Sequence, residues 1–365
     1  MFASSLGSIT GLDNRLSLRR SKSVCVVMVD GLGAQNLKAA GGHAPFLNAS
    51  MASSGESIAC AFPATTATSL SSFATGTNSG THGLLGYQVF DRNSKKPLNL
   101  LSGWSDEFKP GDWQLAPTIS QLAVEKSVPT FFVGPAEYEG SGFTQAIMPA
   151  AVYRAGKTIA DRVDRAIEIL NQAQESLVYL YVPELDQAAH AKGVSSSQWL
   201  QRVEELDSQL RRLDKAANKT TGLLVTADHG VIDVPADKQL YLDELDVDWD
   251  AVINISGDPR VPYLYLDPDA SGQLPMVQSQ LRQHLGDAAL VLNAPELAQS
   301  GLYGTVSDAV KPRLPDLAIL ALKPIALYHR GHAKPQSLKM IGQHGSLSHQ
   351  ELMIPLIKLG SFKAK

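Results

Sequence analysis

Three apolar runs of strand length each lead directly into acidic residues. Ser23–Val29 (SVCVVMV) meets Asp30-Gly31, and Leu177–Val182 (LVYLYV) meets Pro183-Glu184-Leu185-Asp186. Gly222–Thr226 (GLLVT) meets Ala227-Asp228-His229-Gly230. An apolar run without alternation is a strand buried on both faces, the pattern of a parallel sheet covered by helices. Segments of helical periodicity lie between these runs. Ile159, Val163, Ile167 and Leu170 stripe Lys157–Ala173; Trp199, Val203, Leu206, Leu210 and Leu213 stripe Ser195–Ala217. The expected fold class is therefore α/β, a mostly parallel central sheet with helices on both faces.

Further helices are expected at Ala44–Ser54, Thr66–Ala74 and Thr118–Glu125, and further strands at Pro129–Val133 and Leu317–Leu322. From about Asp233 to Pro312 Asp and Pro become frequent, with short strands at Ala251–Ile255 and Pro262–Leu266 before a helix at Pro275–Leu285. This texture predicts a smaller α+β subdomain at approximately 240–310, inserted in a single catalytic unit spanning 22–365. With 365 residues and 44% hydrophobic residues there is ample material for that core.

The net charge of −4 supplies no basic excess for duplex nucleic acid or an anionic membrane. Two cysteines, Cys25 and Cys60, exclude a disulfide scaffold and a thiolate zinc finger. Residues 1–22 lack the pattern of a secretory signal, and no apolar run approaches the roughly 20 residues of a membrane span. A cytoplasmic protein with no membrane partner is expected.

Parallel strands deliver their ligand-binding residues beyond their carboxyl ends. Three carboxylates brought to one edge repel each other unless a cation lies between them. Histidines accompany them. Asp186 and His190 are four apart, which puts them on one face of a helix starting near Leu185. Asp228 and His229 are adjacent at a turn, and His344 stands in the glycine-flanked Gly342-Gln343-His344-Gly345-Ser346. Carboxylate and imidazole together are a metal donor set. Thr65 and Thr66 follow Pro63 at the start of a helix closed by Thr75-Gly76. Either hydroxyl would sit beside free N–H groups at the positive end of the helix, a setting that suits an attacked phosphate.

In this order and spacing the residues resemble the alkaline phosphatase superfamily, in its type I phosphodiesterase/nucleotide pyrophosphatase branch. The matching pieces are Val29-Asp30-Gly31, the helix ending Ala74-Thr75-Gly76, His82-Gly83, Tyr181 through Asp186 with His190, Thr226 through Gly230, and Gln343 through Ser346. The resemblance implies an alkaline-phosphatase-like sheet. It also implies two divalent ions per chain, Zn²⁺ with Mn²⁺ as the alternative. One ion would be held by Asp186, His190 and His344, the other by Asp30, Asp228, His229 and the Thr66 oxygen. The family spacing to Gly76 selects Thr66 as nucleophile. Nucleotide-cleaving relatives often carry Phe after the nucleophile and Asn four residues after His-Gly; here these positions are Ala67 and Tyr87. Tyr181 matches a position lining their nucleotide pocket.

The function expected is metal-dependent hydrolysis of a small phosphodiester or phosphoanhydride through a phospho-threonine. The alternatives are a phosphomonoesterase, a phosphonate hydrolase, a phosphoryl-transfer mutase and a metal-binding relative without turnover. A monoester dianion calls for an additional cationic clamp, for which Arg154 is the candidate by position.

Overall fold

The computed structural model describes residues 1–172 and 175–363. Its larger sheet has seven strands: β1 (Ser23–Val29), β2 (Gly55–Ala59), β3 (Thr130–Gly134), β4 (Val152–Ala155), β5 (Ser176–Val182), β6 (Thr221–Ala227) and a last strand, Met353–Gly360. A second, four-stranded sheet is built from β7 (Val252–Asp258), β8 (Val261–Leu266), β9 (Ala289–Asn293) and β10 (Leu317–Ala321), which makes Met353–Gly360 strand β11. The larger sheet has the order β2-β11-β6-β1-β5-β3-β4. Only β11 runs against its neighbours. The expected α/β architecture, with a mostly parallel sheet between layers of helices, is the observed one.

The registers explain the acidic edge. Val29 on β1 pairs with Val182 on β5 and with Ala227 on β6. The three strands therefore end level, and Asp30, Pro183 and Asp228 leave the sheet side by side. Every residue of β1, β5 and β6 is buried. Alternate side chains of β1 feed two cores. Cys25, Val27 and Val29 pack with Val163 and Leu170 of helix Ile159–Gln172 and with Trp199, Val203 and Leu206 of helix Ser197–Ala216. Val24, Val26 and Met28 face an aromatic core containing Phe2, Phe73, Phe132 and Tyr179.

Most expected helices shorten by one or two residues at their ends, where caps define them. The one expected at Lys157–Ala173 is observed as Ile159–Gln172, and Ala173 lies outside the described residues. Thr118 caps Ile159's counterpart helix on the other face, Ile119–Glu125, through a reciprocal bond pair with Gln121. Residues before 22, outside the span expected for the catalytic unit, include a helix at Phe2–Thr10. The Phe2 ring packs, tilted, with its centre 4.7 Å from that of Phe73 in the aromatic core. Its burial stabilises by about 1.5–3 kcal/mol.

The expected strand Leu317–Leu322 is present as β10 and belongs to the smaller sheet, antiparallel to β8 and β9. That sheet thus reaches beyond residue 310. With helix Leu274–Leu285 it has its own core of Leu264, Leu281, Val291 and Ile319. Cys25 and Cys60 are free thiols. Among the described residues no helix is long and apolar enough to cross a membrane.

Candidate active site

The site forms where β1, β5 and β6 end. Asp30 follows β1 directly, and Gly31 then turns the chain at φ 72°. A side chain at Gly31 would meet the Asp186 carboxylate at 3.1 Å, so the turn needs glycine for conformation and for space. After β5 the chain enters helix Glu184–Lys192, whose first turn carries Asp186 and whose next carries His190. Asp228 and His229 follow β6. Gly230 then passes under the backbone of Gln350, where a Cβ would lie 2.0 Å from the carbonyl oxygen. His344 follows the short strand Gly342–Gln343, which pairs with Ile232–Asp233 and so ties the His344 loop to the loop after His229.

The expected site residues converge. One donor atom each of Asp30, Asp228 and His229 lie within 4.8 Å of one another, and the same holds for Asp186, His229 and His344. His190 adjoins the second group, with Nε2 3.1 Å from Asp186 Oδ2 and its ring 5.2 Å from that of His344. His229 stands between the groups and stacks on His344 at 3.7 Å.

All three imidazoles are held the same way. Nδ1 of His190 faces the Gly342 carbonyl at 2.8 Å, Nδ1 of His344 the Ala64 carbonyl at 2.8 Å, and Nδ1 of His229 the Gly230 carbonyl at 3.2 Å. A carbonyl only accepts, so each Nδ1 carries a proton and each Nε2 is turned to the cluster, where it can bind a cation once it has given up any proton of its own.

The carboxylates are half satisfied. Tyr181 donates its hydroxyl proton to Asp30 Oδ2, and Asp228 Oδ1 accepts the N–H groups of Gly31 (3.1 Å) and His229 (3.0 Å). Asp30 Oδ1, Asp228 Oδ2 and Asp186 Oδ1 are buried without a hydrogen-bond partner. Burial, and then the neighbouring carboxylates Asp228 and Asp186, push Asp30 well above the usual carboxylate range. Burial also raises Asp228, against the pull of His229. For Asp186 burial is outweighed by His190, His344 and His229, and the net direction is down. Burial lowers His190, but Asp186 more than compensates and brings it up to about 9. Three buried carboxylate oxygens without hydrogen-bond partners, beside imidazole Nε2 atoms, form a donor set that fits divalent cations.

Thr66 is the first residue of helix Thr66–Thr75, and its Oγ1 lies 3.3 Å from His229 Nε2. Thr65, one residue earlier, turns its hydroxyl to Thr68 Oγ1 at 3.3 Å. Gly76 closes the helix in the left-handed conformation, as its place in the sequence predicts. His82 is not at the site. It is buried, bonds Ser72 and accepts the Leu84 N–H, and burial pushes it down to about 3.

A cavity of about 430 Å³ opens over Thr66, Asp186, His190 and His344. Its walls include Tyr87 and Leu101, the β7–β8 turn with Asp258, and the segment from Leu327 to Met340. Two larger hollows share no residue with these groups, one against Arg19, Lys219 and Lys363, the other against Arg19, Glu56 and Lys358. Tyr181, expected at a pocket wall, is buried beneath Asp30 against Tyr179 and Tyr138. Ala67 points into the aromatic core. Arg154 lies exposed on edge strand β4, over Phe131.

Sequence reasoning missed Glu351 and Arg260. They form a fully buried ion pair at 2.7 Å. Glu351 Oε1 also accepts the Ser346 N–H, two residues past His344, and its carbonyl accepts the Gly230 N–H, one past His229. Arg260 donates to the Ala321 and Ile325 carbonyls. The only sequence signal was Ser348, three residues before Glu351, which caps its short helix.

Solved structures with this fold include murine ectonucleotide pyrophosphatase/phosphodiesterase 5, an inactive variant in complex with AMP. It shares 18% identity at a TM-score of 0.73, over 93% of this chain and 88% of that one. The human protein of the same name matches at 18% and 0.72, over 94% and 90%. Phosphonoacetate hydrolase from Sinorhizobium meliloti 1021, in complex with phosphonoformate, matches at 17% and 0.68, over 93% and 91%. No curated protein sequence matches the chain. The family model described as type I phosphodiesterase / nucleotide pyrophosphatase matches residues 24–347, from the first residues of β1 to just past His344, and the chain belongs to that family.

Proposed function

We propose that the protein hydrolyses phosphodiester or phosphoanhydride bonds of small molecules, with Thr66 as the nucleophile. The observation that carries this reading is the position of the Thr66 hydroxyl, at a helix N-terminus and 3.3 Å from His229 Nε2, beside three buried and partnerless carboxylate oxygens. Asp186, His190 and His344 would hold one divalent ion; Asp30, Asp228, His229 and Thr66 Oγ1 would hold the other, with Zn²⁺ or Mn²⁺ suited to these donors. Such ions, when bound, acidify the nucleophilic hydroxyl and neutralise charge on the attacked and leaving oxygens.

The chain's own contributions follow from its geometry. Helix Thr66–Thr75 directs its first N–H groups at the transferred phosphoryl group. Tyr181 holds Asp30 by one oxygen and leaves the other free. The Nδ1–carbonyl bonds fix three imidazoles with Nε2 inward. Thr66 Oγ1 attacks phosphorus, the ester oxygen opposite it departs, and water then cleaves the phospho-threonine. The smaller sheet, by way of its β7–β8 turn, serves as a cap that walls the cavity and chooses the organic group.

Diesters are the preferred substrates on this reading, because no arginine is found among the described cavity-lining residues. The test is a panel of a chromogenic diester, its monoester, a dinucleotide pyrophosphate and phosphonoacetate, with and without chelator. Faster cleavage of the monoester or the phosphonate than of the diester would reverse the ranking. Activity insensitive to chelation would remove the ions from the reaction.

A further inference from the structure

Asp258 is a carboxylate in a cavity meant for an anion. It ends β7, at the turn that brings the smaller sheet to the site. Its Oδ2 accepts the Tyr87 N–H at 3.3 Å, and among the described residues it forms no ion pair. Its position is fixed from several sides. Gly345 lies beside it, where an added methyl would reach ordinary contact with Asp258 Cβ at 3.4 Å, Arg260 Cβ at 3.6 Å and Thr65 Cγ2 at 3.8 Å. The next residue, Pro259, accepts the Leu327 N–H at 2.7 Å, and Arg260 is locked to Glu351.

Burial pushes the Asp258 carboxyl up to about 7; above that pH its negative charge repels any second anion on a bound phosphate ester and attracts a donor. The hydrogen bond from the Tyr87 N–H does not require the charge, since a neutral oxygen would accept it equally well. Lys334, the cation of the cavity, is exposed on the outer wall, where water screens it.

Building on the diesterase reading, we propose that Asp258 selects the organic group of the substrate: the cavity takes phosphodiesters whose alcohol presents a hydrogen-bond donor, an ammonium or a hydroxyl group, and disfavours those whose alcohol carries a second anion. Asp258 is a specificity residue that touches the substrate away from phosphorus.

The test uses 4-nitrophenyl phosphodiesters of 2-aminoethanol, ethylene glycol, ethanol and 3-hydroxypropanoate, with the metal-loaded full chain. The wild type should favour the aminoethyl over the carboxyethyl ester by about tenfold to a hundredfold in kcat/KM, with the hydroxyethyl ester between them. Asp258→Asn keeps the acceptor for Tyr87 and should bring the two charged esters to within about threefold of each other. Asp258→Ser repeats the measurement should the amide disturb the turn. No discrimination in the wild type, or the same discrimination in both variants, overturns the assignment. If none of the esters turns over, the diesterase reading fails by itself. The order of affinities, measured by calorimetry in the Thr66→Ala protein, then still decides the role of Asp258.

Discussion

Thr65 and Thr66 carry the same hydroxyl, and only direction separates them. Thr65 is the extended N-cap and Thr66 the first helical residue, so the two side chains diverge and one hydroxyl meets His229 while the other meets Thr68. Thr66→Ala should lower turnover at least about a thousandfold while the protein keeps its fold and most of its metal. Thr66→Ser should retain measurable activity, and Thr65→Ala should lose far less than either; a trapped phosphoryl group mapped to Thr65 by mass spectrometry would sink this register. Asp186→Ala should reduce the metal content from two ions to one by elemental analysis. His82 gives a separate expectation. Its folded pKa of about 3 lies below the ordinary 6.5, so between these values the unfolded chain binds the extra proton. Stability should therefore fall as pH drops below 6.5, with His82 contributing up to about 1.4 kcal/mol per unit. Urea unfolding at pH 5 and 7 should show a smaller pH difference for His82→Gln than for the wild type, and equal differences would contradict the buried neutral imidazole. The residues proposed to bind metal could be picked out because they stand just past a strand end, one helical turn further on, at a helix start or beside a glycine. Asp258 could not, because its meaning depends on a turn in the smaller sheet meeting Tyr87 from another part of the chain.

The loops after His229 and His344 and the turn that carries Asp258 are tied together by the Glu351–Arg260 ion pair. Glu351 reaches the loops after His344 and after His229, and Arg260 reaches the turn that carries Asp258. Glu351→Gln leaves the Arg260 guanidinium buried without its counterion, which should cost about 3–5 kcal/mol by chemical denaturation. An apolar double replacement, Arg260→Met with Glu351→Leu, should recover much of that stability but not the activity, because the Ser346 N–H still lacks its acceptor. Stability and activity lost and regained together in both variants would show that the pair does nothing beyond holding the fold. Strands β1, β5 and β6 could be read from the sequence since burial on both faces demands an unbroken apolar run. The assignment of Leu317–Ala321 to the smaller sheet could not, because an apolar strand has the same composition in either sheet and only pairing with β8 and β9 distinguishes them.

For the molecule as a whole, folding gathers three buried carboxyl groups, each with one oxygen that has no hydrogen-bond partner, an arrangement that costs stability until a cation joins it. Loading with Zn²⁺ or Mn²⁺ should therefore raise the thermal midpoint. At a thousandfold excess over the dissociation constant the gain is about 4 kcal/mol per site. Scanning calorimetry with and without chelator measures it, and an unchanged midpoint would count against the donor assignment. Strand β11 has a different consequence. It lies between β2 and β6, so β2, formed early in the sequence, pairs only with a strand from the far end of the chain. A ribosome releases the other strands of the large sheet well before it releases that partner. Until then β2 cannot be held in place, β6 keeps an open edge toward other nascent chains, and Glu351, just ahead of β11, cannot yet fasten the His229 and His344 loops. Synthesis thus completes the sheet and the site at the same moment, and a chain arrested before Met353 should bind no metal and should aggregate through β6.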